Sequence, residues 1–152
     1  MRRVLLLLLL ASACTDDDPA PSVHIVSAPP DELDPANDLA DDVRILVEYD
    51  DADGDLGEGL AEIHDCRDAA LLTQLPIPAI AGEGMIGARI KGSMDLYVND
   101  IGAAAAGEVP AVCDELGVGA PAAGETVFCV VLVDAADHAG PGDCTAPIIL
   151  AP

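Results

Sequence analysis

The chain has no tryptophan, and Tyr49, Tyr97 and Phe128 are its only aromatic residues. Its core must therefore be built from Val, Ile, Leu and Ala. Basic residues are almost as scarce: 6 Lys and Arg stand against 28 Asp and Glu, a formal charge of −22. Arg2 and Arg3 lie at the N-terminus, so the rest of the chain carries 28 acids against 4 bases, a net −24. Such a surface repels nucleic-acid phosphate and anionic lipid headgroups, which excludes nucleic acid as a partner. Acid excess also keeps a protein soluble and suits high salt. Serine is limited to Ser12, Ser22, Ser27 and Ser93. No nucleophile elbow, phosphate loop or His-Glu-x-x-His motif occurs. The many carboxylates sit in turns, where raised pKa values are least expected. The expectation is a protein that is not an enzyme, and a hydrolytic enzyme is the weakest alternative.

What is present begins with a tripartite leader. Arg2 and Arg3 form a positive n-region, Val4 to Leu10 an apolar run, and Ala11-Ser12-Ala13 a small-residue cleavage site. This reads as a signal peptide over residues 1–13, too short for a permanent membrane span. Cys14 follows at once. Small residues before a cysteine, directly after an apolar run, resemble the bacterial lipoprotein signal, although Ala11 stands where that family usually has Leu. The resemblance implies a lipidated Cys14 as mature N-terminus. Parity agrees, since removing Cys14 from five cysteines leaves an even four. The acidic, proline-containing segment after it reads as a flexible tether, so that residues 14–21 form the anchor and residues 22–152 the domain. The implied location is the bacterial cell envelope, exported and held to the membrane by the lipid.

The 12 prolines and 14 glycines punctuate the domain into short strands. Ser22 to Ala28 reads as a first strand closed by Pro29-Pro30, and Asp31 to Asp42 as an acidic loop. Val43 to Tyr49 alternates, with Val43, Ile45, Val47 and Tyr49 on one face. Leu60 to Asp65 is a weaker strand. Ala69 to Leu75 suggests a helical turn, broken by Pro76 and Pro78. Ala88 to Val98 alternates again, and Arg89 and Lys91 offset acids on one sheet face. Gly102 to Gly117 has room for one short helix. Thr126 to Val133 is continuously apolar, as expected of a central strand covered on both faces. Asp134 to Cys144 is a turn region and Ile148 to Leu150 a closing strand. The fold expected is all-β, an antiparallel sandwich of about seven strands.

The runs VHIVSAPPDE, VRILVEYDDADGDLG and VFCVVLVDAADHAG are similar to bacterial immunoglobulin-like domains of the adhesin and cadherin-like kind. The chain lacks the core Trp of antibody-type domains and is longer than a minimal sandwich. The resemblance implies an immunoglobulin-like fold and a binding or structural role toward an unidentified protein or surface partner, not an activity.

One constellation points to chemistry. Asp50, Asp51, Asp53 and Asp55 crowd the turn between two strands. Asp51, Asp53 and Asp55 alternate like the first EF-hand ligands, and Glu62 falls at the twelfth position. The sixth position is Leu56 rather than Gly, however, and both flanks read as strand. Two readings stand. Asp53-Gly54 is a hairpin signal whose acids are solvated. Alternatively, the crowded carboxylates repel one another and a cation relieves them, with hard oxygens suiting Ca²⁺. In a sandwich the Asp134 to Asp143 turn lies at the same end, so Asp134 and Asp137 would complete the site. A small-ligand or metal-binding extracytoplasmic protein is the alternative function on this reading.

Cys66, Cys113, Cys129 and Cys144, in an exported chain, predict two disulfides. Cys66–Cys113 with Cys129–Cys144 is the first choice. If the last two strands pair antiparallel, Cys144 is expected opposite the strand end rather than Cys129, so Cys66–Cys129 stays open. His24, His64 and His138 are isolated in sequence, with little sign of a joint site.

Overall fold

The computed structural model describes residues 19–36, 42–79, 87–102 and 107–151. The expected signal peptide, Cys14 and most of the tether lie outside them. Pro21, the last tether residue, is buried, and its carbonyl backs onto Gly140 where a Cβ would not fit.

The described chain is all-β, with one short helix. Strand β3 (Val43–Asp51) is the middle of a sheet ordered β1-β3-β6, with β1 (Ser22–Ser27) and β6 (Ile90–Val98) antiparallel on either side. A second antiparallel sheet is ordered β5-β4-β8-β9, from β4 (Leu60–Asp65), β5 (Leu72–Pro76), β8 (Phe128–Val133) and β9 (Asp143–Cys144). A small third sheet joins β2 (Glu32–Leu33) and β7 (Glu125–Thr126) to β10 (Ile148–Leu150), which runs parallel to β2 and antiparallel to β7.

The period-two pattern sets which faces meet. Val43, Ile45, Val47 and Tyr49 of β3 are buried against Ala61 and Ile63 of β4 and Phe128, Val130 and Leu132 of β8 in one core. Each fully buried aliphatic side chain there is worth about 1.5–3 kcal/mol. Tyr49 lies over its cross-strand partner Gly92, where a Cβ would come 2.5 Å from the phenol oxygen.

Strand β8 is buried along almost its whole length because its outer face is covered too. A second cluster joins Cys66, Val127 and Cys129 to Cys113 of helix α1 (Ala111–Glu115), with Val109, Val112 and Leu116 packed against it. The unbroken apolar run thus marks a two-sided strand, paired with β4 on one edge and β9 on the other.

Two expectations fail. There are ten strands among the described residues, not about seven, because β2, β7 and β9 have two residues each and leave no periodicity to read. Ala69 to Leu75 holds no helix. The N–H of Ala70 donates to Asp68 Oδ1 at 2.9 Å and the N–H of Leu71 to the Asp68 carbonyl at 2.9 Å, making a turn that feeds β5. Local side-chain acceptors of this kind compete with helix.

Gly59 lets the start of β4 approach the end of β8. A Cβ at Gly59 would lie 2.1 Å from the Val133 carbonyl oxygen and 2.9 Å from that of Leu56. Gly59→Ala is therefore expected to lower stability by about 1–3 kcal/mol, the usual cost of overpacking. Urea denaturation checks this, and an unchanged midpoint would mean the two strand ends are loosely held.

Candidate metal centre

Strand alternation separates the acids of the turn. Asp50 is an outward residue of β3, and Asp51 is the next, inward one. Asp50 accepts two hydrogen bonds from Arg89 at 2.7 Å and an ion pair from Lys91 at 2.6 Å. These cations, Arg89 first, hold its carboxyl well below the usual carboxylate range. Asp50 is therefore spent on the outer sheet face and takes no part in the inward cluster.

Asp51 is 0 % exposed. Its Oδ2 accepts the Leu56 N–H at 2.8 Å, which folds the turn back and seats the Leu56 side chain in the core. This contact explains Leu56 at the position where an EF-hand has glycine. Glu62, the nominal twelfth residue, lies in β4 and accepts from Gln74 at 2.8 Å, outside the cluster.

The other oxygen of Asp51 is different. Asp51 Oδ1, Asp53 Oδ1 and Asp55 Oδ1 are all buried, and none has a hydrogen-bond partner among the described residues. One carboxylate oxygen from each of the three residues lies within 4.8 Å of the others. A buried, unpartnered carboxylate oxygen is costly, and three together repel as well. Asp51 is accordingly pushed up, by burial first and then by contact with Asp53, against the opposing Leu56 N–H. Asp55 is pushed up to about 6 by burial, by Asp53, and by the charges of Asp134, Asp53 and Asp51. Raised values, least expected in a turn, thus occur at Asp51 and Asp55, because their Oδ1 atoms are buried rather than solvated.

The second turn does reach the first: the Ala135 N–H donates to the Asp55 carbonyl at 3.2 Å. Its acids are otherwise engaged. Asp134, 2 % exposed, uses Oδ1 to accept the N–H groups of Ala136 and His138, each at 2.8 Å, and Oδ2 lies 3.0 Å from His138 Nδ1. Asp134 acts on the cluster through its charge. Asp137 is exposed, with φ 66°, and stands apart. Of six expected ligands the structure gathers Asp51, Asp53 and Asp55.

The donor set suits a hard cation. Ca²⁺ binds oxygens at about 2.3–2.6 Å, so oxygens on opposite sides of it are about 4.6–5.2 Å apart. Mg²⁺ sits closer to its oxygens and demands near-octahedral order. Three carboxylate oxygens no more than 4.8 Å apart are near enough to share one cation.

The four other cysteines pair as Cys66–Cys113 and Cys129–Cys144. Cys144 is the direct register partner of Cys129, which corrects the expected offset toward the strand end. His24 pairs with Asp143, His64 with Glu62 and His138 with Asp134, so the histidines form no joint site.

A buried ion pair, Asp65 with Arg67, is not evident from the sequence. Arg67 and Asp65 side chains are each 6 % exposed and bond through Nε and Nη2, the closest contact being 2.5 Å. Thr126 Oγ1 donates to Asp65 at 2.9 Å, and Arg67 Nη1 donates to the Gly102 carbonyl at 3.0 Å. The only available signal was period two, which places Asp65 on the same face as Ala61 and Ile63.

Comparison with protein-family models, with curated proteins and with solved structures gives no match for this chain.

Proposed function

We propose that this chain is an exported, non-catalytic envelope module, immunoglobulin-like in architecture, in which Ca²⁺ at Asp51, Asp53 and Asp55 fastens one end of the sandwich. The observation that carries this reading is the convergence of three buried carboxylate oxygens without hydrogen-bond partners. The two facing sheets over one core support the architecture, and two disulfides support an oxidising, exported setting. Every cysteine among the described residues is in a disulfide, which leaves no thiol nucleophile there and favours a binding or structural role. The lipid anchor at Cys14 rests on the leader alone, and Cys14→Ser should move the protein from the membrane to the soluble fraction.

The test of the calcium role is thermal. Folded protein with bound ion gains about RT ln(1 + [L]/Kd), or about 1.4 kcal/mol at ten times Kd. Extracellular modules bind calcium at roughly 10⁻⁴–10⁻³ M, so millimolar Ca²⁺ should raise Tm. Mg²⁺ at matched ionic strength should do less, and matching removes general screening of the acidic chain. An equal response to both ions would reduce the effect to screening.

The pH dependence has a definite sign. The pKa values of Asp51 and Asp55 are raised in the folded state, so folding favours their protonated forms. The contribution of Asp55 is fully present below the ordinary value of 3.8 and is lost as pH rises through about 6, and that of Asp51 is lost in the same direction. Asp50 and Asp95 are lowered, so their contribution holds above 3.8 and is lost only under more acid conditions. Between about pH 4.5 and 7.5, metal-free protein should lose the cluster's contribution as pH rises. Calcium competes with those protons, so its gain in Tm should shrink as pH falls through about 6. Melting at pH 5 and 7.5, with chelator and with Ca²⁺, against the Asp53→Asn/Asp55→Asn variant, checks both signs. A calcium gain as large at pH 5 as at 7.5, or a pH response the variant retains, would place the effect elsewhere.

A further inference from the structure

Cys66 and Cys129 are diagonal neighbours on the outer face of the second sheet. His64 opposes Cys129 in the β4–β8 register, and Cys66 follows two residues on, its N–H bonded to the Val127 carbonyl at 2.9 Å. Their sulfurs, which belong to different disulfides, are only 3.4 Å apart. Sulfurs of Cys66, Cys113 and Cys129 all lie within 4.8 Å of one another. These three residues are fully buried, whereas Cys144 is half-buried on the two-residue strand β9.

We propose that the two disulfides form one thiol–disulfide exchange unit, with Cys144 the entry point for a low-molecular-weight thiol and Cys129 the relay onto Cys66. The incoming thiolate attacks Cys144 Sγ. A bond forms between the two sulfurs, the Cys129–Cys144 bond breaks, and its electron pair leaves on Cys129. The Cys129 thiolate then attacks Cys66 Sγ. The Cys66–Cys129 bond forms, the Cys66–Cys113 bond breaks, and Cys113 leaves as thiolate and takes up a proton. Two S–S bonds exist before and two after, one thiol enters and one is released, so no external oxidant or reductant is needed. The 3.4 Å separation puts the two sulfurs in contact, and once the Cys129–Cys144 bond is broken the Cys129 side chain must rotate to attack in line with the Cys66–Cys113 bond. Exchange of this kind proceeds only through the thiolate, so it accelerates with thiol ionisation.

The product has a structural consequence. Cys113 lies on helix α1, and its bridge to Cys66 ties that helix to β4. Moving the bridge to Cys66–Cys129 frees the helix while keeping β4 and β8 joined. The apolar surface held under it, from Val109, Val112, Leu116 and Val127, then becomes openable. The unit thus converts attack by a thiol at the sheet edge into release of a covering segment on the sheet face.

Cys144→Ser tests the relay directly, because it leaves Cys129 as the attacking thiol. The oxidised, folded variant is incubated at about pH 8.5, near the ordinary thiol pKa. It is then acid-quenched, alkylated and mapped by peptide mass spectrometry. The free thiol should shift from Cys129 to Cys113, with a Cys66–Cys129 bridge appearing. A thiol that stays on Cys129 beside an intact Cys66–Cys113 bridge overturns the proposal. Wild-type protein exposed to limiting glutathione serves if the variant does not fold. The expected result there is glutathione on Cys144 and the free thiol on Cys113. Glutathione on another cysteine, or a thiol remaining at Cys129, overturns it equally.

Discussion

Arg67→Ala is expected to cost about 3–5 kcal/mol of folding stability, the usual result of removing one partner from a buried ion pair. Arg67 neutralises Asp65 and also holds the Gly102 carbonyl at 3.0 Å. Without it the buried carboxylate keeps, among the described residues, Thr126 and the N–H of residue 67 as hydrogen-bond donors. Those bonds do not replace a counter-charge at low dielectric. The paired change Asp65→Leu with Arg67→Met should recover much of the loss, because an apolar pair of similar size removes the desolvation penalty with the charges. Chemical denaturation of both variants measures this. A loss below about 1 kcal/mol for Arg67→Ala would show that the pair behaves as a solvated surface bridge.

Asp51→Asn should act in the opposite direction on metal-free protein. The asparagine carbonyl can keep the Leu56 N–H bond, and its amide NH₂ can donate toward Asp53 and Asp55. A buried charge is thereby replaced by a donor facing carboxylates, which relieves the repulsion that raises Asp51 and Asp55. Tm without calcium should rise. The calcium-specific gain, about 1.4 kcal/mol at ten times Kd in the wild type, should vanish with the ligand. Thermal melts with chelator and with millimolar Ca²⁺ show both effects. A variant that is destabilised without calcium, or that keeps the calcium gain, would assign Asp51 a purely structural role.

How much of this was legible in the chain follows from the range over which each residue acts. Val43 to Tyr49 and Leu60 to Asp65 declare themselves because a half-buried strand repeats every two residues. Phe128 to Val133 does so because burial on both faces removes the polar half of the pattern, whereas Thr126, expected in the same strand, belongs to β7 of the third sheet. The strands β2, β7 and β9 do not, since two residues carry no period and their pairing depends on distant chain. The acidic turn was visible as composition, but its membership was not. Alternation sends Asp50 to Arg89 and Lys91 and Asp51 to the core, a division that depends on where β3 ends. Asp134 was placed at the correct end of the molecule. Its engagement with its own turn and His138 is a tertiary detail that no spacing records. The Asp65–Arg67 pair stayed hidden because its burial is decided by elements far along the chain, such as Thr126 and Gly102.

Crystals grown with millimolar Ca²⁺ and measured for anomalous scattering test the central claim most directly. One peak of calcium strength is expected about 2.3–2.6 Å from an oxygen of each of Asp51, Asp53 and Asp55, absent from crystals grown with chelator. A map with an ordered water or nothing at that point, under conditions where calcium still raises Tm, would contradict it.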